Sequence, residues 1–205
     1  MLHHSERSTS EPRHMASLLL LLVAVGANTE PNSRLAVISR APEFSLINQD
    51  NQKVHSADLR GKVLLVGFIF TTCNGTCPAT THRMALVQQE LKSRGLSKKE
   101  VQFLSISLDA ADDTPDVLRR YMHLYDIDAT NWSFLTGPVP DVNKTIAAWG
   151  MWARPAAKGQ LDHPSRIFLV DPLGRVREIY NLSYLKPAWV AEDIELLLRE
   201  QHSRP

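Results

Sequence analysis

The chain has 205 residues, of which 43% are hydrophobic and 22% charged. These proportions are typical of a globular protein, and the length fits one domain, since domains commonly run to about 100–200 residues. The formal net charge of +1 provides no broad electrostatic field for holding a phosphate backbone or an anionic membrane surface. We therefore expect no nucleic-acid partner.

The N-terminus has the layout of a secretory signal. Arg7 and Arg13 stand in a polar start, an apolar run covers residues 15–25, and Gly26 and Ala27 supply small residues after it. The run is shorter than a membrane-spanning helix, which needs about 20 apolar residues. A cleaved signal is therefore expected, with an uncleaved anchor that also uses flanking residues as the alternative.

This layout divides the chain into three segments. Residues 1–27 are the signal peptide or N-terminal anchor. Residues 28–40 are polar and include a proline, which is typical of a linker. The folded domain is expected over residues 41–202.

Strands and helices alternate along this domain. The run KVLLVGFIF at 62–70 is apolar throughout, which predicts a central strand buried on both faces of a sheet. Met84, Val87 and Leu91 then recur at helical spacing, and Pro78 suits the first turn of that helix. The other predicted elements are a hairpin at 44–54, a strand at 101–108, a helix from 112 to about 125, a strand at 132–135, a helix at 139–149, a hairpin at 166–180 and a helix at 187–199. This order favours a three-layer α/β domain with a central mixed β-sheet flanked by helices.

The chain has two cysteines, and both lie where the predicted central strand is followed by a helix. If Cys77 is in the first helical turn and Cys73 just before it, the helix dipole and free N–H groups should stabilise both thiolates. Metal binding and disulfide exchange both require thiolates. A purely structural disulfide is disfavoured, because closing a loop of about five residues contributes only about 2 kcal/mol. The pair is therefore either redox-active or metal-binding, and the spacing leaves both open.

A tightly held metal ion needs a third ligand, and His163 is the best candidate. It stands just before the strand at 166–170, so it can overhang the edge of the sheet. A single histidine is more often a surface or packing residue, and its position alone does not decide. His82 is the rival, but it lies about 140° round the helix from Cys77. Asp162 could orient the imidazole, although an exposed turn is the expected place for it.

Three motifs together resemble the Sco/SenC family. They are TTCNGTCP at 71–78, DAADDTP at 109–115, and Asp-His at 162–163 before a strand that ends in DPLG at 171–174. The resemblance covers residues 41–198. It implies a thioredoxin-like fold.

The resemblance also implies a function. Family members bind one copper ion, as Cu(I) or Cu(II), through the residues that match Cys73, Cys77 and His163. They are metallochaperones for the binuclear copper site of cytochrome c oxidase, or reductases that prepare it. The expected partners are therefore the copper subunit of that oxidase or another exported cuproprotein, together with a thioredoxin-like reductant. We expect a monomer in the bacterial periplasm, tethered to the inner membrane if the N-terminal segment is not cleaved.

The sequence departs from the family pattern in two places, and it leaves an alternative function open. The family usually has an acidic residue between the cysteines and serine after the histidine, whereas this chain has Asn74-Gly75-Thr76 and Pro164. These changes put the choice of partner in question. The alternative is a copper-independent thiol-disulfide oxidoreductase or thiol peroxidase that uses Cys73 and Cys77. Oxidation to a disulfide removes both sulfur ligands, so one site carries metal or electrons, but not both at once.

Overall fold

The computed structural model describes residues 1, 34–96 and 99–203. The chain divides into two units, Met1–Glu30 and Pro31–Pro205, and the fold described below is that of the second unit. The signal or anchor predicted at residues 1–27 lies outside the described residues, apart from Met1. Within the described ranges, no helix is long and apolar enough to cross a membrane.

A mixed β-sheet forms the centre of this unit. Its strands are β1 (Ser39–Arg40), β2 (Ser45–Asn48), β3 (Lys53–His55), β4 (Val63–Ile69), β5 (Val101–Ser107), β6 (Trp132–Thr136), β9 (Ile167–Val170) and β10 (Arg175–Tyr180). They lie in the order β1-β10-β9-β4-β5-β6-β2-β3. Strands β4, β5 and β6 run parallel, and the other neighbours pair antiparallel. Two short strands, β7 (Arg154–Pro155) and β8 (Leu161–Asp162), pair with each other outside this sheet.

The predicted central strand is confirmed. All seven residues of β4 are buried, and so are all seven of β5 beside it. A strand with no exposed residue needs cover on both faces, which its unbroken apolar sequence indicates. Gly67 in the middle of β4 admits a close neighbour, because a Cβ there would lie 2.9 Å from the Sδ atom of Met84.

Four α-helices flank the sheet in the part of the chain that the structure describes. They are α1 (Cys77–Ser93), α2 (Pro115–Met122), α3 (Val139–Ala148) and α4 (Pro187–His202). Each has a proline in its first two positions, where a missing N–H leaves no hydrogen bond unmade. Helix α1 contacts β4 and α4, α2 contacts β6, and α3 contacts β2. The predicted α/β domain with a mixed sheet flanked by helices is therefore confirmed.

The folded domain begins before residue 41, so the linker predicted at 28–40 is wrong over its second half. The side chain of Leu35 is buried in the core. The N–H of Ile38 donates to a carbonyl of β10, next to the pairing of β1 with the same strand. Arg34 donates to a buried carboxylate of α4, at 2.6 Å. A short edge strand is held by backbone hydrogen bonds and one buried apolar side chain. Neither feature can be recognised in a segment that is otherwise polar.

Candidate metal centre

A short loop joins β4 to α1, and we call residues 71–76 the cysteine loop. The buried Phe70 precedes it, and the N–H of Cys73 donates to the Phe70 carbonyl at 3.2 Å. Helix α1 starts at Cys77 itself. The structure therefore places Cys77 in the first helical turn and Cys73 just before the helix, as the sequence predicts.

The two thiols are free and in contact with each other. Only 1% of Cys77 is exposed, whereas Cys73 is partly exposed. The Cys73 side chain lies close enough to raise the pKa of the Cys77 thiol. The N–H of Gly75 donates to the Cys73 sulfur, at 3.4 Å. Cys73, just ahead of the helix, is thus the more accessible of the two cysteines.

The electrostatics of Cys77 differ from the prediction of a stabilised thiolate. Burial is the largest influence and raises the pKa of this thiol, and the hydrogen bond and charge of Cys73 raise it further. Backbone hydrogen bonds from Phe70 and Cys77 lower the pKa, as expected at the start of a helix, but they do not outweigh desolvation. Cys77 is therefore a protonated thiol at neutral pH until a cation takes the place of its proton.

His163 follows β8 and lies against Cys77. Its Nε2 atom is 3.7 Å from the sulfur of Cys77, across a sequence separation of 86 residues. The Nδ1 atom is 3.0 Å from the Pro164 carbonyl oxygen, and the ring meets Phe70 edge-on with 5.8 Å between centroids. The tautomer with its proton on Nδ1 satisfies that carbonyl and leaves the Nε2 lone pair facing the sulfur.

The distance between this sulfur and nitrogen suits two ligands of one ion. With metal–sulfur bonds of about 2.3 Å and metal–nitrogen bonds of about 2.0–2.1 Å, ligands at trigonal or tetrahedral angles lie about 3.5–3.8 Å apart. The observed 3.7 Å falls within this range. Among the described residues, no three His, Cys, Asp or Glu side chains are grouped as a complete metal site. Cys77 and His163 thus have ligand spacing, whereas Cys73 does not complete a three-residue group in the conformation described.

The other candidates from the sequence do not join this cluster. His82 is exposed on α1. Asp162 is exposed, as expected, but it lies on β8 rather than in a turn. The Nδ1 atom of His163 contacts the Pro164 carbonyl.

A buried carboxylate, which the sequence analysis did not single out, holds the start of the cysteine loop. The Thr71 N–H and hydroxyl donate to Oδ1 of Asp113 at 3.2 and 2.5 Å, and the Ser107 hydroxyl donates to Oδ2 at 2.6 Å. Asp113 is fully buried. Burial raises its pKa, while these hydrogen bonds act against the rise. Within the motif at 109–115, Thr114 caps α2, whereas the neighbouring Asp113 accepts from Thr71 and Ser107 instead.

Gln160 is a second residue that the sequence analysis did not single out. It lies between β7 and β8, and its side-chain amide bonds to the backbone of the cysteine loop. Oε1 accepts from the Asn74 N–H and Nε2 donates to the Thr72 carbonyl, both at 3.0 Å. No local sequence pattern marks this glutamine, because its partners lie more than 80 residues away.

Fold and site together define a class of protein. A buried parallel strand that leads into Cys-X-X-X-Cys at the start of a helix, in a mixed sheet flanked by helices, is the arrangement of a thioredoxin-like protein with a thiol site. The sequence model of the SCO1/SenC family matches residues 35–199. The chain belongs to the SCO1/SenC family, which confirms the resemblance seen in its motifs.

Individual relatives agree with this assignment. The chain is 34% identical over 141 residues to the SCO1 protein homolog of Bacillus subtilis (strain 168), covering 67% of this chain and 72% of that protein. A SCO1/SenC family lipoprotein from Bacillus anthracis str. Ames superposes with a TM-score of 0.72 at 30% identity, over 78% of this chain and 95% of that one. Copper-bound ScoI of Bradyrhizobium japonicum gives a TM-score of 0.67 at 26% identity, over 77% and 98%. The predicted thioredoxin-like fold is therefore confirmed.

Proposed function

We propose that this protein binds one copper ion through Cys73, Cys77 and His163 and delivers it to a cuproprotein. The observation that carries the proposal is the 3.7 Å separation between the Cys77 sulfur and the His163 Nε2 atom. Two thiolates and one imidazole are a soft donor set that suits Cu(I), and a further weak ligand would allow Cu(II). The copper bound to the Bradyrhizobium ScoI supports the same cargo here.

Each ligand has a separate part in this function. Cys77, buried at the start of α1, would give up its proton on binding and hold the ion on its buried side. His163, in the segment that follows β8, supplies the nitrogen ligand. Cys73, on the partly exposed loop, moves to complete the set and is the ligand that an acceptor protein reaches first.

The proposed acceptor is the binuclear copper site of cytochrome c oxidase or a related exported cuproprotein. A solved relative with 28% identity and a TM-score of 0.69 is described as a member of the Sco family of cytochrome c oxidase assembly proteins, which supports this choice. A thioredoxin-like reductant would keep the two thiols reduced. We place the protein, as a monomer, in the bacterial periplasm, where the signal-like layout of residues 1–27 would direct it.

A copper titration of the reduced protein tests the proposal. We expect one copper ion per chain, with a thiolate-to-Cu(II) absorption band for the oxidised metal. His163→Ala should lose most of the affinity, while His82→Ala, which removes an exposed histidine of α1, should bind as the wild type does. Unchanged copper affinity in His163→Ala would rule out the three-ligand site.

The contact between the two thiols favours a second candidate, a copper-independent thiol-disulfide oxidoreductase or thiol peroxidase. The accessible Cys73 sulfur lies beside the buried Cys77 sulfur, so attack by Cys73 on a substrate can be followed by closure of the Cys73–Cys77 disulfide. His163 distinguishes the two candidates. If the protein takes up no copper, and His163→Ala reduces a disulfide or peroxide substrate at the wild-type rate, the oxidoreductase function is supported.

A further inference from the structure

We infer that Gln160 is a positioning residue, which holds the backbone of Cys73 in place relative to His163. The inference rests on the proposed copper function, because it concerns how two of the proposed ligands are brought together. It begins from an arrangement that no requirement of the fold explains: a single side-chain amide bonds on both sides of one cysteine.

The two hydrogen bonds enclose Cys73. Gln160 accepts from the N–H of the residue after Cys73 and donates to the carbonyl of the residue before it, each at 3.0 Å. In a parallel sheet, one residue of a neighbouring strand bonds in the same way, to the carbonyl before and the N–H after the residue that it faces. The amide therefore takes the place of a strand, and it fixes the path of the loop at the cysteine that carries the more accessible sulfur.

The same residue is tied to the histidine side of the site. Gln160 immediately precedes β8, and His163 immediately follows it. Its own carbonyl accepts from the Ala156 N–H at 2.7 Å, and β8 pairs with β7. The distance between the Cys73 backbone and the His163 backbone is thus set through one short, hydrogen-bonded segment.

The hydrogen bonds of Gln160 matter most for Cys73, because it is the less firmly held of the two proposed sulfur ligands. Cys77 is held by α1 and by burial, whereas Cys73 stands on a partly exposed loop. Without the amide, Thr72 and Asn74 lose their partner on the histidine side and the loop can take up other conformations. Each bound ion would then have to restrain the loop, which lowers affinity and speeds release.

Gln160→Met tests the inference, since methionine has a similar length but neither donates nor accepts as the amide does. The matched control is Gln89→Met, the same replacement at an exposed position of α1 where the amide bonds only weakly, to Asp126 at 3.4 Å. Three quantities are measured on the full reduced chain: Cu(I) affinity by competition with a chromophoric chelator, the alkylation rates of Cys73 and Cys77 without metal, and the thermal midpoint.

If Gln160 positions Cys73, Gln160→Met should bind Cu(I) about 10- to 100-fold more weakly, which is the usual effect of removing a residue that orients a metal ligand. Alkylation of Cys73 should accelerate, while Cys77 alkylation and the thermal midpoint stay at wild-type values. Gln89→Met should change none of these.

Two results would overturn the inference. One is wild-type Cu(I) affinity and Cys73 alkylation in Gln160→Met. The other is a parallel acceleration of both cysteines with a lower thermal midpoint, which would show a general loosening of the domain. Failure of the proposed function looks different: the wild type itself would take up no copper. Faster Cys73 alkylation in Gln160→Met would then still support the conclusion that Gln160 positions the Cys73 backbone, because that assay uses no metal.

Discussion

Replacing Asp113 by alanine should destabilise the protein more than any exposed substitution near the site. This carboxylate has no exposed surface, and it accepts three hydrogen bonds, two from Thr71 and one from Ser107. Alanine supplies no acceptor, so the Thr71 N–H and the two hydroxyls lose their partner together. The change acts directly beneath the cysteine loop.

The loss of unfolding free energy in Asp113→Ala depends on whether each of the three donors can find another acceptor. The two hydroxyls can rotate towards other acceptors or an entering water, so each costs about 1 kcal/mol. The Thr71 N–H is fixed by the backbone and is left unsatisfied, at about 1–3 kcal/mol. The sum is about 3–5 kcal/mol, a large part of the roughly 5–15 kcal/mol that separates folded from unfolded states in most domains.

Urea unfolding of the reduced protein measures this loss, provided that the slope of the transition is unchanged. Asp112→Ala is the matched control, because this neighbouring aspartate is exposed; it should stay within about 0.5 kcal/mol of the wild type. A loss below about 1 kcal/mol in Asp113→Ala would contradict the reasoning, since it would mean that the three donors find equal partners without the carboxylate.

Three further results are expected. Burial raises the pKa of Asp113 above its unfolded value of 3.8, so its contribution to stability is fully present below that value and is lost as pH rises through the folded pKa. Asp113→Asn cannot titrate, so as pH rises through this window the unfolding free energy of the wild type should fall relative to that of Asp113→Asn. A difference between the two proteins that stays constant with pH would refute the raised pKa. Gly67→Ala should cost about 1–3 kcal/mol in urea unfolding, because the new methyl group meets the Sδ atom of Met84 at 2.9 Å; no loss would mean that this flexible side chain moves aside freely. Release of the Cys77 proton on binding should raise the Cu(I) affinity of the proposed site by at least about tenfold per pH unit across neutral pH, and a proton released from the second thiol ligand would steepen this dependence. Chelator competition that gives a pH-independent affinity would contradict the protonated thiol.

The sequence predicted the elements whose patterns are long. The nine-residue apolar run around β4 and the helical spacing after it needed no tertiary information, and the hairpins had clear turn residues between their strands. The strands that were missed, β1, β7 and β8, have two residues each. At that length neither alternation nor β-propensity can be recognised, so such strands depend on partners supplied by the rest of the fold.

The site was predictable to the extent that it depends on local position. The placement of Cys73 and Cys77 at a strand-to-helix junction is a local property, and the structure has it. The protonation state of Cys77 depends on tertiary packing. The start of a helix alone favours the thiolate, but the folded domain buries this thiol, and burial raises its pKa. Asp113 and Gln160 were missed for a related reason, because their hydrogen bonds to the cysteine loop span 42 and more than 80 residues of sequence.

The sulfur of Cys77 is the atom on which both proposed chemistries depend. It contacts the Cys73 thiol and also lies 3.7 Å from the His163 nitrogen. A disulfide uses the first contact and removes the ligand needed for the second, while a bound ion uses the second and withholds the thiolate from disulfide exchange. Because Cys77 is buried and protonated without metal, neither reaction starts at this atom unaided: a cation must displace its proton, or Cys73 must first form a mixed disulfide. In either proposed chemistry, the accessible Cys73, on a loop held by Gln160 and Asp113, would therefore be where copper or a partner disulfide first engages the site.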